Sequence, residues 1–225
     1  MVVAVVAGVW AGTLVTIGKQ VRKQPSFTWW VVNRLMFLAA ITSIQGIALY
    51  FLMFAFNVNR DDGTSMNGTL MFVVGLCTLI SALPSGWLSD RIGQKRLVAI
   101  GGGLATVGTV VLLVTVWIPN MALIYAGGII LGISTGLWMT TNWALGTRLV
   151  PSQEAGRYLG ISNLAGAGAG MIGAGMAGPV ADFLNFRIPG LGYFAIFSGY
   201  AVLFLMSIVT LRWIRLDHNE SEIYE

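Results

Sequence analysis

Gly86-Trp87-Leu88-Ser89-Asp90-Arg91-Ile92-Gly93-Gln94-Lys95-Arg96 is a polar island set between two long apolar runs, Met66 to Leu88 and Leu97 to Ile118. It gathers one acid and three bases where the flanking runs hold almost none. An island this short between runs this apolar reads as a tight charged turn joining two membrane-spanning helices.

The rest of the chain agrees with that reading. Of 225 residues, 56% are apolar and only 10% are charged, and the mean hydropathy is +0.78. That is too little polar surface to cover a water-soluble globule of this size. Crossing about 30 Å of hydrocarbon takes about 20 apolar helical residues, and such runs recur with short polar gaps between them. Continuous apolar runs without alternation exclude a membrane β-barrel, and lipid offers no partner to an open strand edge. The class is therefore an all-α integral membrane protein, with the lipid bilayer as its first partner.

Seven crossings can be placed on the sequence. The first runs from Met1 to about Ile17 and ends at Lys19, Arg22 and Lys23, before a break at Gln24-Pro25-Ser26. The second begins at the Trp29-Trp30 pair, whose indoles favour the interface, and reaches about Phe56. A loop is expected from Asn57 to Asn67, then a third span from about Gly68 to Leu88 and a fourth from about Leu97 to Trp117. Pro119-Asn120 turns the chain into a fifth span, about Met121 to Leu145. The sixth, about Tyr158 to Ala181, is rich in glycine and alanine, and Gly178-Pro179 is expected to kink or end it. The last runs from about Tyr193 to Leu211, before a charged tail.

Lys and Arg sort by side. Lys19, Arg22, Lys23, Arg91, Lys95, Arg96, Arg148, Arg157, Arg212 and Arg215 fall on one side, Arg60 and Arg187 on the other. The positive-inside rule puts the tail in the cytoplasm and the N-terminus outside. Arg34, near the cytoplasmic start of the second span, is expected to snorkel toward headgroups or make a loop contact, with facing a cavity as the alternative. The net charge of +4 is spread through loops and not gathered with aromatics in a patch, so it reports topology and not nucleic acid. The N-terminus has no basic stretch before its apolar run and no evident cleavage site, unlike a signal peptide, and reads as a helix entered part-way through a longer protein. The single Cys77 excludes an intrachain disulfide.

Several function classes lack their chemistry. Gly168-Ala169-Gly170-Met171-Ile172-Gly173 matches a dinucleotide-binding fingerprint but lies inside a membrane span, not between a strand and a soluble helix. A seven-helix receptor or photoreceptor is the competing class, since seven spans with the N-terminus outside suit it; retinal attachment would need a lysine within a late span, whereas Lys19, Lys23 and Lys95 lie in loops. A lone His218 in the tail and no acid within any span leave a membrane enzyme without acid-base or metal chemistry, so no catalytic residue, cofactor or metal is expected. Asn67-Gly68-Thr69 is a glycosylation sequon by pattern only.

The island itself has the pattern G-x-L-x-D-R-x-G-x-K-R, and here the sequence resembles the major facilitator superfamily of secondary transporters, whose signature loop has this spacing once in each six-helix half. Gly86 would permit close helix approach, Asp90 would cap or pair with a neighbouring helix end, Arg91 would bridge to a partner, Gly93 would allow the turn, and Lys95 and Arg96 would anchor the cytoplasmic face. Four spans follow the island, as they follow the second copy of that loop in a twelve-helix member. The resemblance thus implies that residues 29–213 form the C-terminal six-helix bundle, built from two three-helix inverted repeats. Residues 1–18 would be the last helix of a missing N-terminal half, residues 19–28 a remnant of the central linker, and 214–225 the cytoplasmic tail. Asn142-Trp143-Ala144-Leu145 and Pro151 to Leu164 are similar, less specifically, to bacterial sugar and glycoside carriers. Implied with it are a bacterial-type plasma membrane, a small-molecule substrate, and alternating access; a drug or organic-ion efflux carrier is the alternative within the superfamily.

Gly128, Gly132 and Gly136 fall on one helical line, and Gly166 and Gly170 on another. Small residues every four positions let membrane helices pack closely. Gln45 lies about 24 Å of helix beyond Trp29, and with Tyr50, Trp138 and Asn142 it is the candidate substrate cavity. Amides and indoles offer hydrogen bonds and a flat face to an uncharged, sugar-like ligand.

Overall fold

A computed structural model describes residues 25–150 and 155–215. Among these residues the structure is all helical: α1 Pro25–Phe56, α2 Arg60–Ile92, α3 Gln94–Thr115, α4 Met121–Arg148, α5 Ala155–Asn185 and α6 Leu191–Thr210, closed by a 3-10 turn Leu211–Trp213. Five of them, α1 to α4 and α6 with its turn, are long and apolar enough to cross a membrane. The expected first span lies outside the described residues.

Helix boundaries follow capping chemistry more than hydropathy. Pro25 opens α1, at the position where its missing N–H and fixed φ do no harm. The expected loop from Asn57 to Asn67 is largely helix. Asn59 accepts a bond from the Asp62 amide at 2.9 Å, and Asp61 and Asp62 sit in the first turn of α2, where acids favour the helix dipole. Asn120 likewise accepts from the amides of Ala122 and Leu123 to start α4. Gly178-Pro179 does not end its helix, since α5 continues to Asn185.

The largest correction concerns the charged island. α2 runs on through Asp90 and Arg91 to Ile92, and α3 begins at Gln94. The turn is a single residue, Gly93, with φ +89 and ψ 140. Its amide still bonds to Ser89 O and its carbonyl already accepts from Leu97. A backbone at that φ suits glycine and strains any L side chain.

α1 is the most buried spanning helix and α2 the least. Around α1 an aromatic column descends the bundle. Phe37 stacks on Trp138 of α4 with centroids 3.9 Å apart and packs edge-on to Phe204 of α6. Further along, Phe51 meets Phe197 and Tyr193 of α6. At one end of the bundle the start of α1, the α2–α3 junction and the end of α6 come together. Trp29 stacks on Trp213, the Arg215 amide donates to Ser26 Oγ, and Lys95 Nζ donates to Ile214 O at 2.6 Å. At the other end Phe54 meets Tyr193 and Trp117 meets Phe194.

Candidate functional site

Three places in the bundle hold the residues singled out in the sequence. The first is the contact between α2 and α4. A Cβ added to Gly128 would lie 3.1 Å from Leu70 and Val74, and one on Gly132 would lie 2.6 Å from Val74 O. One on Gly136 would overlap Ser81 Oγ and Thr78 O. The glycine line of α4 therefore lies directly on α2, which runs parallel to it. Hydroxyls complete the seam from the α2 side: Thr78 Oγ1 donates to Gly132 O at 3.0 Å, and Ser85 bonds to Thr140 of α4. α3 approaches the same helix as closely, with Gly108 and Gly127 each facing the other's carbonyl and Ser134 Oγ donating to Gly101 O at 2.7 Å. In α5, a Cβ on Gly166 would come 2.9 Å from Leu38 of α1; the surroundings of Gly170 lie outside the described residues.

The second place is the α2–α3 junction. Among the described residues Gly86 serves no close helix contact, because none of them lies within 4 Å of where its Cβ would be. Asp90 is exposed and makes no hydrogen bond or ion pair among the described residues, so the expected pairing with a helix end is not made there. Arg91 instead lies 3.9 Å over the Trp87 ring on its own helix, and Arg96 is exposed. Lys95 is the member that ties helices together, through Ile214 O. An ammonium at a carbonyl just past a helix end is favoured by the dipole as well as by the bond.

The third place was expected to be one cavity and is two environments. Gln45 and Tyr50 are exposed on α1, Tyr50 by 60%, whereas Trp138 and Asn142 are fully buried. They do not converge, because Gln45 borders the stretch of α4 around Gly128 and Leu131, whereas Trp138 and Asn142 meet Phe37 and Arg34, about two to three turns earlier on α1. Gln45 does border a crevice of about 40 Å³, otherwise lined by apolar side chains such as Ile41, Leu70, Met71 and Phe197.

Trp138 and Asn142 have different company. Arg34 does not snorkel to the surface; it is 4% exposed and points at α4. Its Nη1 donates to Asn142 Oδ1 at 3.3 Å. Asn142 Nδ2 passes a bond to Asn33 Oδ1 at 3.0 Å, and Asn33 Nδ2 donates to Ser207 O of α6 at 2.6 Å. Trp30 Nε1 donates to Asn142 O, and Gly146 leaves room for that indole. The Arg34 guanidinium also lies 4.3 Å over the Trp143 ring and 5.7 Å from the centre of Trp30. Such desolvated cation–π contacts contribute about 2 kcal/mol, against a cost of roughly 3 kcal/mol for an arginine in the middle of a membrane helix.

Sequence reasoning found Asn142 but not its setting. Trp30, Asn33 and Arg34 sit on α1, more than a hundred residues away. The signal that could have found them is a cationic residue one third of the way into an apolar span. Among the described residues no three His, Cys, Asp or Glu side chains come together as metal ligands would.

Comparison with known proteins sets this geometry in a family. A family model described as Major Facilitator Superfamily matches residues 5–174. The chain is 34% identical over 81 residues to Myo-inositol transporter 2 of Schizosaccharomyces pombe, covering 36% of this chain and 14% of that protein. It is 27% identical over 93 residues to Minor myo-inositol transporter IolF of Bacillus subtilis, covering 41% and 20%. A crystal structure of tetrameric PepTSo2 superposes with a TM-score of 0.71 at 17% identity, covering 84% of this chain and 40% of that one, a likeness of fold. The chain thus spans well under half the length of each of these proteins.

Proposed function

Because the chain belongs to the Major Facilitator Superfamily, we propose that its described helices form one six-helix bundle of a secondary transporter that moves a small, sugar-like solute by alternating access. Residues 29–213 are the C-terminal bundle, two three-helix inverted repeats. Residues 1–18 are the last helix of the other half, 19–28 the linker and 214–225 a cytoplasmic tail. The second bundle comes from the same or another chain. The end holding Arg91, Lys95, Arg96, Arg148 and Arg212 faces the cytoplasm of a bacterial-type plasma membrane, and the first residues lie outside.

The observation that carries the solute class is that both curated relatives bear the name of myo-inositol transporters. The exposed face of α1 supports it. Gln45 and Tyr50 offer an amide and a phenol to a polyol on a surface that a second bundle would close. The test is uptake of labelled myo-inositol by cells expressing this chain from its own coding region, including the sequence upstream. Saturable uptake, competed by other cyclic polyols and reduced at least tenfold by Gln45→Leu, is expected. Uptake no greater than in cells with empty vector, or displacement by a lipophilic cation and not by polyols, overturns it.

A further inference from the structure

Among the described residues Arg34 is a buried cation without a counter-ion. A guanidinium carries five N–H donors. Here Nη1 makes one bond, to an amide oxygen at 3.3 Å, and the buried Nε makes none. The neighbouring side-chain acceptors, Asn142 Oδ1, which accepts from Arg34, and Asn33 Oδ1, which accepts from Asn142, are amide oxygens and bring no negative charge. The acids among the described residues, Asp61, Asp62, Asp90 and Asp182, are all exposed, and none pairs with Arg34. The two indoles only partly offset the lost hydration, since a ring face is a weaker partner for a desolvated cation than a charged oxygen. Asn33 and Asn142, held in one chain that ends on Ser207 O, fix the guanidinium from behind. Trp143 is its one partly exposed neighbour in the cluster, while Trp30, Asn33 and Asn142 are fully buried. Among the described neighbours, Trp143 is therefore the side on which a ligand would approach the guanidinium.

We propose that Arg34, backed by Asn33 and Asn142 and covered by Trp143, is a binding site for an oxyanion, the carboxylate or phosphate group of a solute or of a lipid head. The fork of a guanidinium matches two oxygens of such a group with parallel bonds, which an ammonium cannot do. The site is separate from the exposed Gln45 and Tyr50 face and takes a different chemistry.

The full chain, purified in a neutral detergent, is titrated with inorganic phosphate and with succinate at constant ionic strength, following thermal unfolding and tryptophan emission. A saturable rise in Tm with a change in emission is expected for both anions and not for chloride or myo-inositol. Arg34→Lys keeps the charge and is expected to weaken the apparent affinity at least tenfold. Asn142→Asp places a carboxylate against the guanidinium, and is expected to raise the Tm without ligand while abolishing the saturable response. In nanodiscs, a response present in phosphatidylcholine and lost when phosphatidylglycerol is included identifies a lipid head as the occupant; a response equal in both identifies a solute. No saturable response in detergent and in phosphatidylcholine alike, or one that Arg34→Lys and Asn142→Asp leave unchanged, overturns the proposal.

Discussion

Helix α4 meets its neighbours in two opposite ways. Toward α2 it is stripped to glycine, and the backbones come so close that Gly136 has a serine hydroxyl and a carbonyl where a Cβ would be. Toward α1 it carries Trp138 and Asn142, which fill a wider gap with a stacked ring and an amide. The first contact gains its stability from proximity, through many weak contacts and hydroxyl bonds to carbonyls. The second gains it from polar groups satisfied one by one. In lipid, where apolar area gives helices no reason to associate, the two seams fail differently: one by a misplaced methyl, the other by a missing partner.

The glycine seam is expected to be the more fragile. Gly136→Ala pushes a methyl into Ser81 Oγ and backbone atoms of α2 that cannot step aside, and should destabilise the bundle by about 3 kcal/mol. Gly86→Ala is the control of opposite sign. Its Cβ meets nothing, so better helix propensity should make it neutral or stabilising by about 0.5 kcal/mol. Thermal or SDS-induced unfolding of the purified chain measures both, and equal effects at the two sites would mean that α4 does not lie on α2 as described.

On the polar seam Asn142→Leu should cost about 2 kcal/mol, because it strands Arg34 and Asn33 without the amide that joins them. The seam differs from the glycine one in that a second substitution can mend it. Adding Arg34→Met removes the stranded charge, and since apolar replacement of buried ionic groups is often neutral or better, the double variant should recover at least half of the loss. Additive losses in the same unfolding assay would show that the two residues are not coupled.

The contrast also explains what could be read before the structure. The glycine line was legible because its partners in the pattern are four residues apart on one helix, and periodicity reports a packed face wherever the partner comes from. Its complement on α2, Thr78, Ser81 and Ser85, carried no such signal, since hydroxyls within a span also bond to their own helix, as Thr78 does to Val74 O. The polar cluster was illegible because it joins positions 33 and 34 to 142 and 207. For Arg34, depth in the span allows either snorkelling or facing a cavity; the partners on α4 decide between them. Helix ends were missed where capping extended them beyond the apolar run, as at Asn59 and through Asp90.

The α2–α3 junction lies between the two seams in kind, with one polar tie and one conformational requirement. Lys95→Ala removes the bond to Ile214 O and should cost about 1 kcal/mol, with hydrogen exchange rising around residues 211–215. Lys95→Arg should lose less, since a donor can still reach the carbonyl. If both variants match the parent, the tie contributes nothing and the end of α6 is held by Trp29 against Trp213 and by the Arg215 bond to Ser26.

Asp90 is expected to give the smallest effect on stability. It is exposed and partnerless among the described residues, so Asp90→Asn should stay within about 0.5 kcal/mol of the parent. That silence is informative because Asp90 stands at the centre of the signature pattern, where its neighbour Lys95 is tied down and it is not. A residue that the described helices do not use is available to whatever lies against the end of α2. If the chain works as half of a transporter, Asp90→Lys should leave the unfolding of this bundle nearly unchanged while shifting which face is open in the two-bundle protein, read as the accessibility of cysteines placed at either end of α1. A loss of stability in the isolated chain as large as that of Lys95→Ala would instead place the partner of Asp90 within these six helices.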